Sequence, residues 1–449
     1  MSVRLKHSLP LALLLTFTAF AANPPPAPKP DATYKQLELF ARVLSYVQNN
    51  YVEPVDEQQL IYGAIKGMLD TLDPHTVFMP PDVFKEMKID TSGEFGGLGI
   101  EIARKGDNIV VVAPIDDTPA QRAGIKPGDQ LLAIEGEPTK GMEVARAIQK
   151  MRGPAGKKVM LTIMREGFAA PREFAIIRDH IRIASVEGQL YGGIAHIKVK
   201  NFQERTDAAL FKELERLRAL NGGKELRGLV LDLRNNPGGL LDQAVAISDR
   251  FLPGNLVIVS TRGRGGHVTE ERSKDRDTEK PYPIVVLVNG GSASASEIVA
   301  GCLQDHQRAA ILGTPTFGKA SVQTVIEMED GSGLKLTIAR YYTPRGRSIQ
   351  ERGILPDFIV GEQEGLVTVR SDQIREKDLK RHFRGDGELV ETEKLKPNLP
   401  ENVKSWELTD KLTDYQLKVA LNYLNSAGQV KATAAKANTS ASGASANSP

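Results

Sequence analysis

The sequence is poor in cysteine, in net charge and in long apolar runs, and each shortage excludes a class of protein. Cys302 is the only cysteine among 449 residues, so no internal disulfide can form and burial must supply the stability. The 58 basic and 56 acidic residues leave a net charge of +2, which disfavours a nucleic-acid-binding protein because such proteins carry a strong positive patch. After the N-terminus no stretch is apolar for the ~20 residues that a membrane span requires.

The first 21 residues have the pattern of a signal peptide. A basic start precedes an apolar stretch from Leu9 to Phe20, which ends in the small-x-small triplet Ala19-Phe20-Ala21. An apolar stretch of about 12 residues is too short for a stable membrane span, so a permanent anchor is the less favoured alternative. We therefore expect an exported protein whose mature chain starts near Ala22.

Changes of composition divide the rest of the chain. From the N-terminus we predict a signal peptide (1–21), a Pro-rich spacer with a helical region (22–92), a β-rich module (93–170), an α/β core (171–362), a charged C-terminal region with one amphipathic helix (363–430) and a disordered tail (431–449). In the helical region the apolar residues Leu37, Phe40, Ala41, Leu44 and Val47 share one helix face. This region has no catalytic constellation, so packing or self-association is its expected role.

The β-rich module contains two glycine motifs between short apolar strands. Gly97, Leu98, Gly99 and Ile100 precede a strand, and residues 123–129 read Ala-Gly-Ile-Lys-Pro-Gly-Asp. Together these motifs resemble a PDZ domain. The resemblance implies that the backbone N–H groups of the first motif bind the terminal carboxylate of a peptide, which adds as a strand to the sheet edge.

From about residue 173 strands alternate with amphipathic helices, which indicates a parallel sheet with ligands at the strand ends. Two motifs fall at such ends. The sequence Asn-Asn-Pro-Gly-Gly (235–239) follows one buried strand, and Gly-Gly-Ser-Ala-Ser (290–294) follows another. We expect the two motifs to meet in one cleft.

Three serines, Ser292, Ser294 and Ser296, follow the second of these strands and precede a helix. Ser294 with Glu297 forms the Ser-x-x-Glu pattern of a capping box. One serine could instead be a nucleophile, and the two roles are compatible because a helix N-terminus stabilises an oxyanion. From local sequence alone both interpretations stay open.

A nucleophilic serine needs a base. The seven histidines are scattered, so a Ser-His-Asp triad is the less favoured alternative. Lys319 lies in a segment without Asp or Glu between Asp305 and Glu327, and burial there could keep its amine neutral. A solvated loop lysine is the other interpretation of this residue.

Four longer motifs identify a family. They are residues 231–239 (LDLRNNPGG), 289–301 (NGGSASASEIVAG), 317–323 (FGKASVQ) and 341–350 (YYTPRGRSIQ). In this order, after a helical segment and a PDZ-like module, they resemble the C-terminal processing peptidases, which are exported tail-specific serine proteases. The resemblance implies an α+β and α/β multidomain fold whose mixed core is similar to the crotonase and Clp folds.

The same resemblance assigns roles to residues. It implies Ser294 as nucleophile, Lys319, 25 positions later, as base, and Gln323 as the residue that orients the lysine. It implies the N–H groups of Ala295 and of Gly238 or Gly239 as oxyanion donors, and the choice between the glycines stays open.

The resemblance also bears on ligands, partners and location. No metal or organic cofactor is expected. The implied partners are protein substrates with accessible C-terminal tails, further copies of the chain and an adaptor protein, and the implied location is the periplasm of a Gram-negative bacterium.

Two residues depart from the family pattern. Ala320 stands where the family usually has glycine, and a positive φ there would strain it. Cys302 stands where alanine is common, and we expect it to be a small buried apolar residue. A PDZ scaffold with an inactive core and a crotonase-type acyl-CoA enzyme are the alternative functions.

Overall fold

The structure of the protein is a computed structural model that describes residues 30–365, 374–385, 398–399 and 403–426. The predicted signal peptide (1–21) and disordered tail (431–449) lie outside the described residues. By its contacts the chain divides into residues 1–64 and 65–449, and each unit is described by itself. No described helix is long and apolar enough to cross a membrane.

The first unit contains helix α1 (Pro30–Asn50) and most of helix α2 (Glu57–Leu69). Both helices lie in the predicted helical region (22–92), and α1 contains the apolar face predicted from Leu37 to Val47. Several large apolar side chains of α1 are exposed, among them Leu37, Phe40 and Val43.

The second unit begins with a short connecting region. It contains strand β1 (Val77–Met79), helix α3 (Pro81–Ser92) and strand β2 (Glu94–Gly97). Helix α3 starts with proline at its first position and ends at Gly93, whose φ of 68° provides a left-handed C-cap.

The β-rich module follows. Its elements are β3 (Ile100–Lys105), β4 (Asn108–Pro114), α4 (Pro119–Arg122), β5 (Gln130–Ile134), β6 (Glu137–Pro138), α5 (Val144–Met151), β7 (Lys158–Met164), β8 (Arg172–Ile177) and β9 (Asp179–Arg182). The sheet order is β3-β4-β5-β7-β8, with every pair antiparallel. In β7, Val159, Leu161 and Ile163 are fully buried while their neighbours are partly exposed, as expected for a strand with one face on a core. Strand β3 lies at the edge, with one side free of a described strand partner.

The α/β core is the largest part. Its elements are β10 (Val186–Tyr191), β11 (Ile194–Val199), α6 (Thr206–Leu220), β12 (Gly228–Asp232), α7 (Leu241–Arg250), β13 (Val257–Gly263), β14 (Val268–Arg272), β15 (Ile284–Val288), α8 (Ala295–Asp305), β16 (Ala310–Gly313), β17 (Ser321–Glu327), β18 (Gly333–Tyr342), β19 (Phe358–Ile359) and helix α9 (415–426). Strands β11-β12-β15-β16-β19 form the predicted parallel sheet, with β10 antiparallel at one edge.

Strands β12 and β15 are buried at all five positions because helices cover both faces of the sheet. Helices α6, α7 and α8 pack on one face. Helix α9, predicted as the amphipathic helix of the charged C-terminal region, covers the other through Leu417, Leu421 and Leu424. The expected multidomain α+β and α/β fold is confirmed.

A second, antiparallel sheet adjoins this core in the order β1-β18-β13-β14, with β17 also paired to β18. Gln323 on β17 lies opposite Thr337 on β18. Strand β1 precedes the β-rich module in the chain, and it pairs with β18, which follows Lys319.

Candidate active site

The two glycine-containing motifs meet where the parallel strands β12 and β15 end. The backbone N–H of Ala293 donates to Asn236 O at 3.0 Å, and the side-chain amide of Asn289 donates to Asn235 Oδ1 at 2.9 Å. The expectation of one shared cleft is confirmed, because the carboxyl ends of neighbouring parallel strands lie at the same sheet edge.

The three serines separate by their surroundings. The Ser292 hydroxyl donates to Leu233 O at 2.7 Å and the Ser296 hydroxyl to Asn236 O at 2.9 Å, and both side chains are fully buried. Ser294 is half-buried and lines the cleft. Its φ of 54° and ψ of −113° are rare for a residue with a side chain, and such strain is typical of functional turns.

The cleft has a volume of about 1720 Å³. It brings together six of the residues that the sequence predicted: Ser294, Lys319, Gln323, Ala295, Gly238 and Gly239. Helix α3 and the start of the β-rich module also line it. It does not include the PDZ-like residues Gly97, Leu98, Gly99 and Ile100.

The loop that contains Gly238 and Gly239 lies close to Ser294. A side chain at Gly238 would place its Cβ 2.8 Å from Ser294 Cβ, so this loop approaches the serine closely. The N–H of Gly238 is taken by Asn236 Oδ1 at 2.9 Å. The N–H groups of Gly239 and Ala295 have no hydrogen-bond acceptor within the described ranges. Of the two glycines, only Gly239 therefore has an N–H group that is available to a ligand within the described residues.

Lys319 lies just before β17, with its ammonium group directed at two acceptors. Its Nζ is 3.0 Å from Ser321 O and 2.8 Å from Gln323 Oε1. In the described residues it makes no hydrogen bond to Ser294 Oγ. Burial, reinforced by the positive charge of Lys335, lowers the pKa of Lys319 to about 8.

We expected Lys319 to lie away from carboxylates because its sequence segment has none, and the structure shows that this expectation is wrong. The charges of three carboxylates, on Glu376, Glu297 and Asp73, each raise the lysine pKa, but less than burial lowers it. They come from segments that lie outside residues 306–326, so a reading of that sequence window could not detect them.

Glu297 has a larger role than the predicted helix cap. Its fully buried carboxylate accepts hydrogen bonds from Ser294 N at 2.8 Å, Gly318 N at 2.7 Å, Lys319 N at 3.0 Å and Thr316 Oγ1 at 2.5 Å. It thus connects the backbone at Ser294 (the serine turn) to the backbone at Gly318 and Lys319 (the lysine segment). Burial raises the pKa of Glu297 to about 7 despite these four hydrogen bonds.

The two departures from the family pattern do not disturb the site. Ala320 is not among the residues with positive φ, so it is unstrained, and its N–H donates to Gln350 Oε1 at 3.0 Å. Cys302 is fully buried, as expected, and burial raises the pKa of its thiol to about 12. A thiol with so high a pKa is a poor nucleophile.

The histidines were the alternative source of a base. His7 lies outside the described residues, His180 lines the cleft, and His75 and His306 bond to Glu376 and to Val257 O. Across the described ranges Ser294 has no hydrogen bond to a histidine.

The charged C-terminal region also contributes to the site, which the sequence did not predict. Arg375 donates to Thr316 O at 2.7 Å, and the N–H of Glu376 donates to Phe317 O at 3.3 Å. Both acceptors lie in the segment that leads to Lys319, so Arg375 and Glu376 hold that segment in place through its backbone. The sequence of residues 374–385 has no apolar periodicity or motif from which this contact could be predicted.

The PDZ-like loop has two backbone N–H groups that are unbonded within the described residues. The N–H groups of Leu98 and Gly99 have no acceptor in the part of the chain that the structure describes. Gly99 has φ 76°, and a Cβ there would lie 2.4 Å from the side chain of Thr118. The loop leads directly into the edge strand β3.

Taken together, a PDZ module and a parallel-sheet core with a serine at a strained strand-to-helix turn are typical of serine-type peptidases. Comparison with family models agrees. The model "Peptidase family S41" matches residues 193–360, "PDZ domain" matches 86–164 and "Activating protease CtpB N-terminal domain" matches 23–83.

Individual relatives narrow this class. The chain is 45% identical over 359 residues to a carboxy-terminal-processing protease of Bartonella bacilliformis, covering 79% of this chain and 82% of the relative. It is 36% identical to a carboxyl-terminal-processing protease of Synechocystis sp. (70% and 74% covered) and 34% identical to CtpA of Bacillus subtilis (77% and 73% covered). The chain therefore belongs to the carboxy-terminal-processing proteases of peptidase family S41.

The Glu297 connection predicts a large effect of Glu297→Gln. Glutamine keeps one acceptor oxygen, but its N–H₂ group would face two of the N–H or O–H donors that the carboxylate binds. Because two donors cannot bond to each other, the backbone at Ser294 or at Lys319 must move. We expect kcat for a fluorogenic peptide to fall about 100-fold, as for a displacement of about 1 Å. Glu271→Gln on the exposed strand β14 should leave kcat unchanged, and wild-type kcat in Glu297→Gln would contradict the role of Glu297.

Proposed function

We propose that the protein is an exported endopeptidase that cleaves with Ser294 as nucleophile and Lys319 as general base. The observation that carries this proposal is the pair of acceptors at Lys319, Ser321 O and Gln323 Oε1. A neutral amine has two N–H bonds and one lone pair. When two fixed acceptors take the two N–H bonds, the lone pair is left to accept the serine proton.

The reaction follows from these positions. Ser294 Oγ attacks the scissile carbonyl while its proton passes to Lys319 Nζ, and the N–H groups of Ala295 and Gly239 stabilise the tetrahedral oxyanion. Lys319 then protonates the leaving amine, and a water molecule, deprotonated by the same lysine, hydrolyses the acyl-serine. Among the described residues Nζ is bonded to Ser321 O and Gln323 Oε1 and not to Oγ, so a small side-chain movement precedes proton transfer.

The position of Ala295 strengthens the oxyanion site. It is the first residue of α8, where N–H groups lack acceptors within the helix and the helix dipole favours negative charge. An oxyanion formed at Ser294 therefore lies next to the positive end of a helix of 11 residues.

The two catalytic assignments are tested by Ser294→Ala and Lys319→Ala. Each should lower kcat for peptide cleavage by at least about 1,000-fold, because each removes a group that reacts directly. Ser296→Ala, which loses one structural hydrogen bond, should stay within about tenfold of wild type. Retained cleavage in Ser294→Ala would exclude the proposed mechanism.

The pH dependence tests the neutral lysine. Since the lysine pKa is about 8, kcat/KM should rise as pH increases through about 8, where the amine loses its proton. Lys335→Met removes a positive charge that lowers this pKa, so the midpoint should move to higher pH. Lys224→Met, at an exposed lysine of the core, should leave the midpoint in place. A midpoint that stays in place, or moves down, in Lys335→Met would contradict the assignment.

We further propose that the PDZ module binds the C-terminal tail of protein substrates. The unbonded N–H groups of Leu98 and Gly99 can receive the terminal carboxylate, and the free edge of β3 can pair with the tail as an added strand. This separates tail capture from the cleft in which Ser294 lies.

Tail capture predicts a preference for a free carboxylate. With the Ser294→Ala chain, a peptide acid should bind at least about tenfold more tightly than its carboxamide in fluorescence anisotropy, because charge-assisted hydrogen bonds are lost in the amide. Gly99→Ala should remove the difference, since its Cβ would collide with Thr118. Equal affinities in the parent Ser294→Ala chain would refute carboxylate recognition.

Export, assembly and regulation complete the proposal. The signal peptide pattern of residues 1–21 supports export, with the periplasm of a Gram-negative bacterium as the proposed location. The exposed apolar side chains of α1 support self-association. An adaptor that regulates cleavage is proposed from the family resemblance, and capture on the Ser294→Ala chain would identify both adaptor and substrates.

A further inference from the structure

Asp73 lies in the loop between α2 and β1, far from the serine in sequence, and is 5% exposed. Its carboxylate accepts four hydrogen bonds. The donors are His75 N at 2.9 Å, Thr76 N at 3.1 Å, Thr76 Oγ1 at 2.6 Å and Thr337 Oγ1 at 3.1 Å. Four donors around one buried carboxylate fix its position and orientation.

Thr337 connects this carboxylate to the lysine. Its Oγ1 is 3.2 Å from Gln323 Nε2, and Gln323 Oε1 is 2.8 Å from Lys319 Nζ. The result is a chain of hydrogen bonds from Asp73 through Thr337 and Gln323 to Lys319.

The direction of every bond in the chain follows from its first member. A carboxylate can only accept, so the single hydroxyl hydrogen of Thr337 must point to Asp73. The hydroxyl oxygen then has only lone pairs to offer Gln323, which must present its N–H₂ group to Thr337. The amide oxygen of Gln323 consequently faces Lys319.

We propose that Asp73 is a positioning residue that acts through Thr337 to hold the amide oxygen of Gln323 toward Lys319. This inference rests on the proposed Ser294–Lys319 mechanism. With the amide reversed, an N–H₂ group would face the lysine. The lysine would then lose one of its two acceptors, and its lone pair would no longer be directed by two fixed hydrogen bonds.

The charge of Asp73 and its positioning effect should influence activity in different ways, so the role of Asp73 can be tested. The negative charge of Asp73 raises the pKa of Lys319. Removing only the charge should therefore increase the neutral fraction of the lysine and move the acid limb of the pH profile to lower pH. Removing the positioning should instead lower kcat even on the plateau, where the lysine is fully neutral.

The first experiment compares Thr337→Val with Thr337→Ser. Valine has the shape of threonine but cannot relay the bond, and serine keeps the hydroxyl. On the high-pH plateau we expect kcat for a fluorogenic peptide to fall about 100-fold in Thr337→Val, with KM unchanged. Thr337→Ser should stay within about threefold of wild type, since it restores both hydrogen bonds.

The second experiment compares Asp73→Ala with Asp73→Asn. In Asp73→Asn the backbone N–H groups of His75 and Thr76 require an oxygen at the Oδ1 position. The Thr337 hydroxyl therefore still donates there, so plateau kcat should be retained while the midpoint falls. Asp73→Ala should lower plateau kcat about as much as Thr337→Val. The double variant Asp73→Ala/Thr337→Val should be no worse than either single variant.

Several outcomes would overturn the inference: wild-type plateau kcat in Thr337→Val or Asp73→Ala, equal losses in Thr337→Ser and Thr337→Val, or additive losses in the double variant. Circular dichroism and peptide affinity establish that each variant is folded. Should Thr337→Val not fold, the Asp73→Asn and Asp73→Ala pair decides. The underlying mechanism fails separately, if Ser294→Ala or Lys319→Ala still cleaves.

Discussion

The site depends on keeping one lysine both buried and well hydrogen-bonded. Burial lowers the pKa of Lys319 to about 8 although three carboxylates lie near enough to raise it. A lysine with a carboxylate as direct partner would stay charged, whereas Ser321 O and Gln323 Oε1 are neutral acceptors that suit an uncharged amine. Glu297 and Asp73 instead accept hydrogen bonds from backbone N–H groups and hydroxyls, and Glu376 bonds to the side chains of His75 and Gln350. Within the described residues none of the three forms an ion pair with the lysine.

This arrangement draws on distant parts of the chain. Glu297 on α8 joins the serine turn to the lysine segment through backbone N–H groups. Arg375 supports the same segment from the C-terminal side. Asp73 reaches Gln323 from the N-terminal side through Thr337. The parallel sheet supports the site, because the loops that contain Gly239 and Ser294 begin at the ends of strands that are buried on two faces.

Much of the fold was predictable because its signals are local. The alternation in β7 and the apolar runs of β12 and β15 identified strands, and the helical periodicity around Leu417 identified α9. Motif position also predicted that residues 235–239 and 290–294 meet. The role of Glu297 was only half predicted, since its capping pattern with Ser294 is local but its bonds to Gly318 and Lys319 are not.

The sequence by itself determined the order of segments, the family resemblance and the set of serine, lysine and glutamine candidates, because these depend on spacing along the chain. Only the tertiary structure decided which serine faces the cleft and which glycine N–H is free. It alone brought Asp73 and Thr337, 264 residues apart, into hydrogen-bond contact. The reason is physical: burial, hydrogen-bond direction and the pKa of a lysine depend on neighbours in space, and a local window of sequence contains few of them.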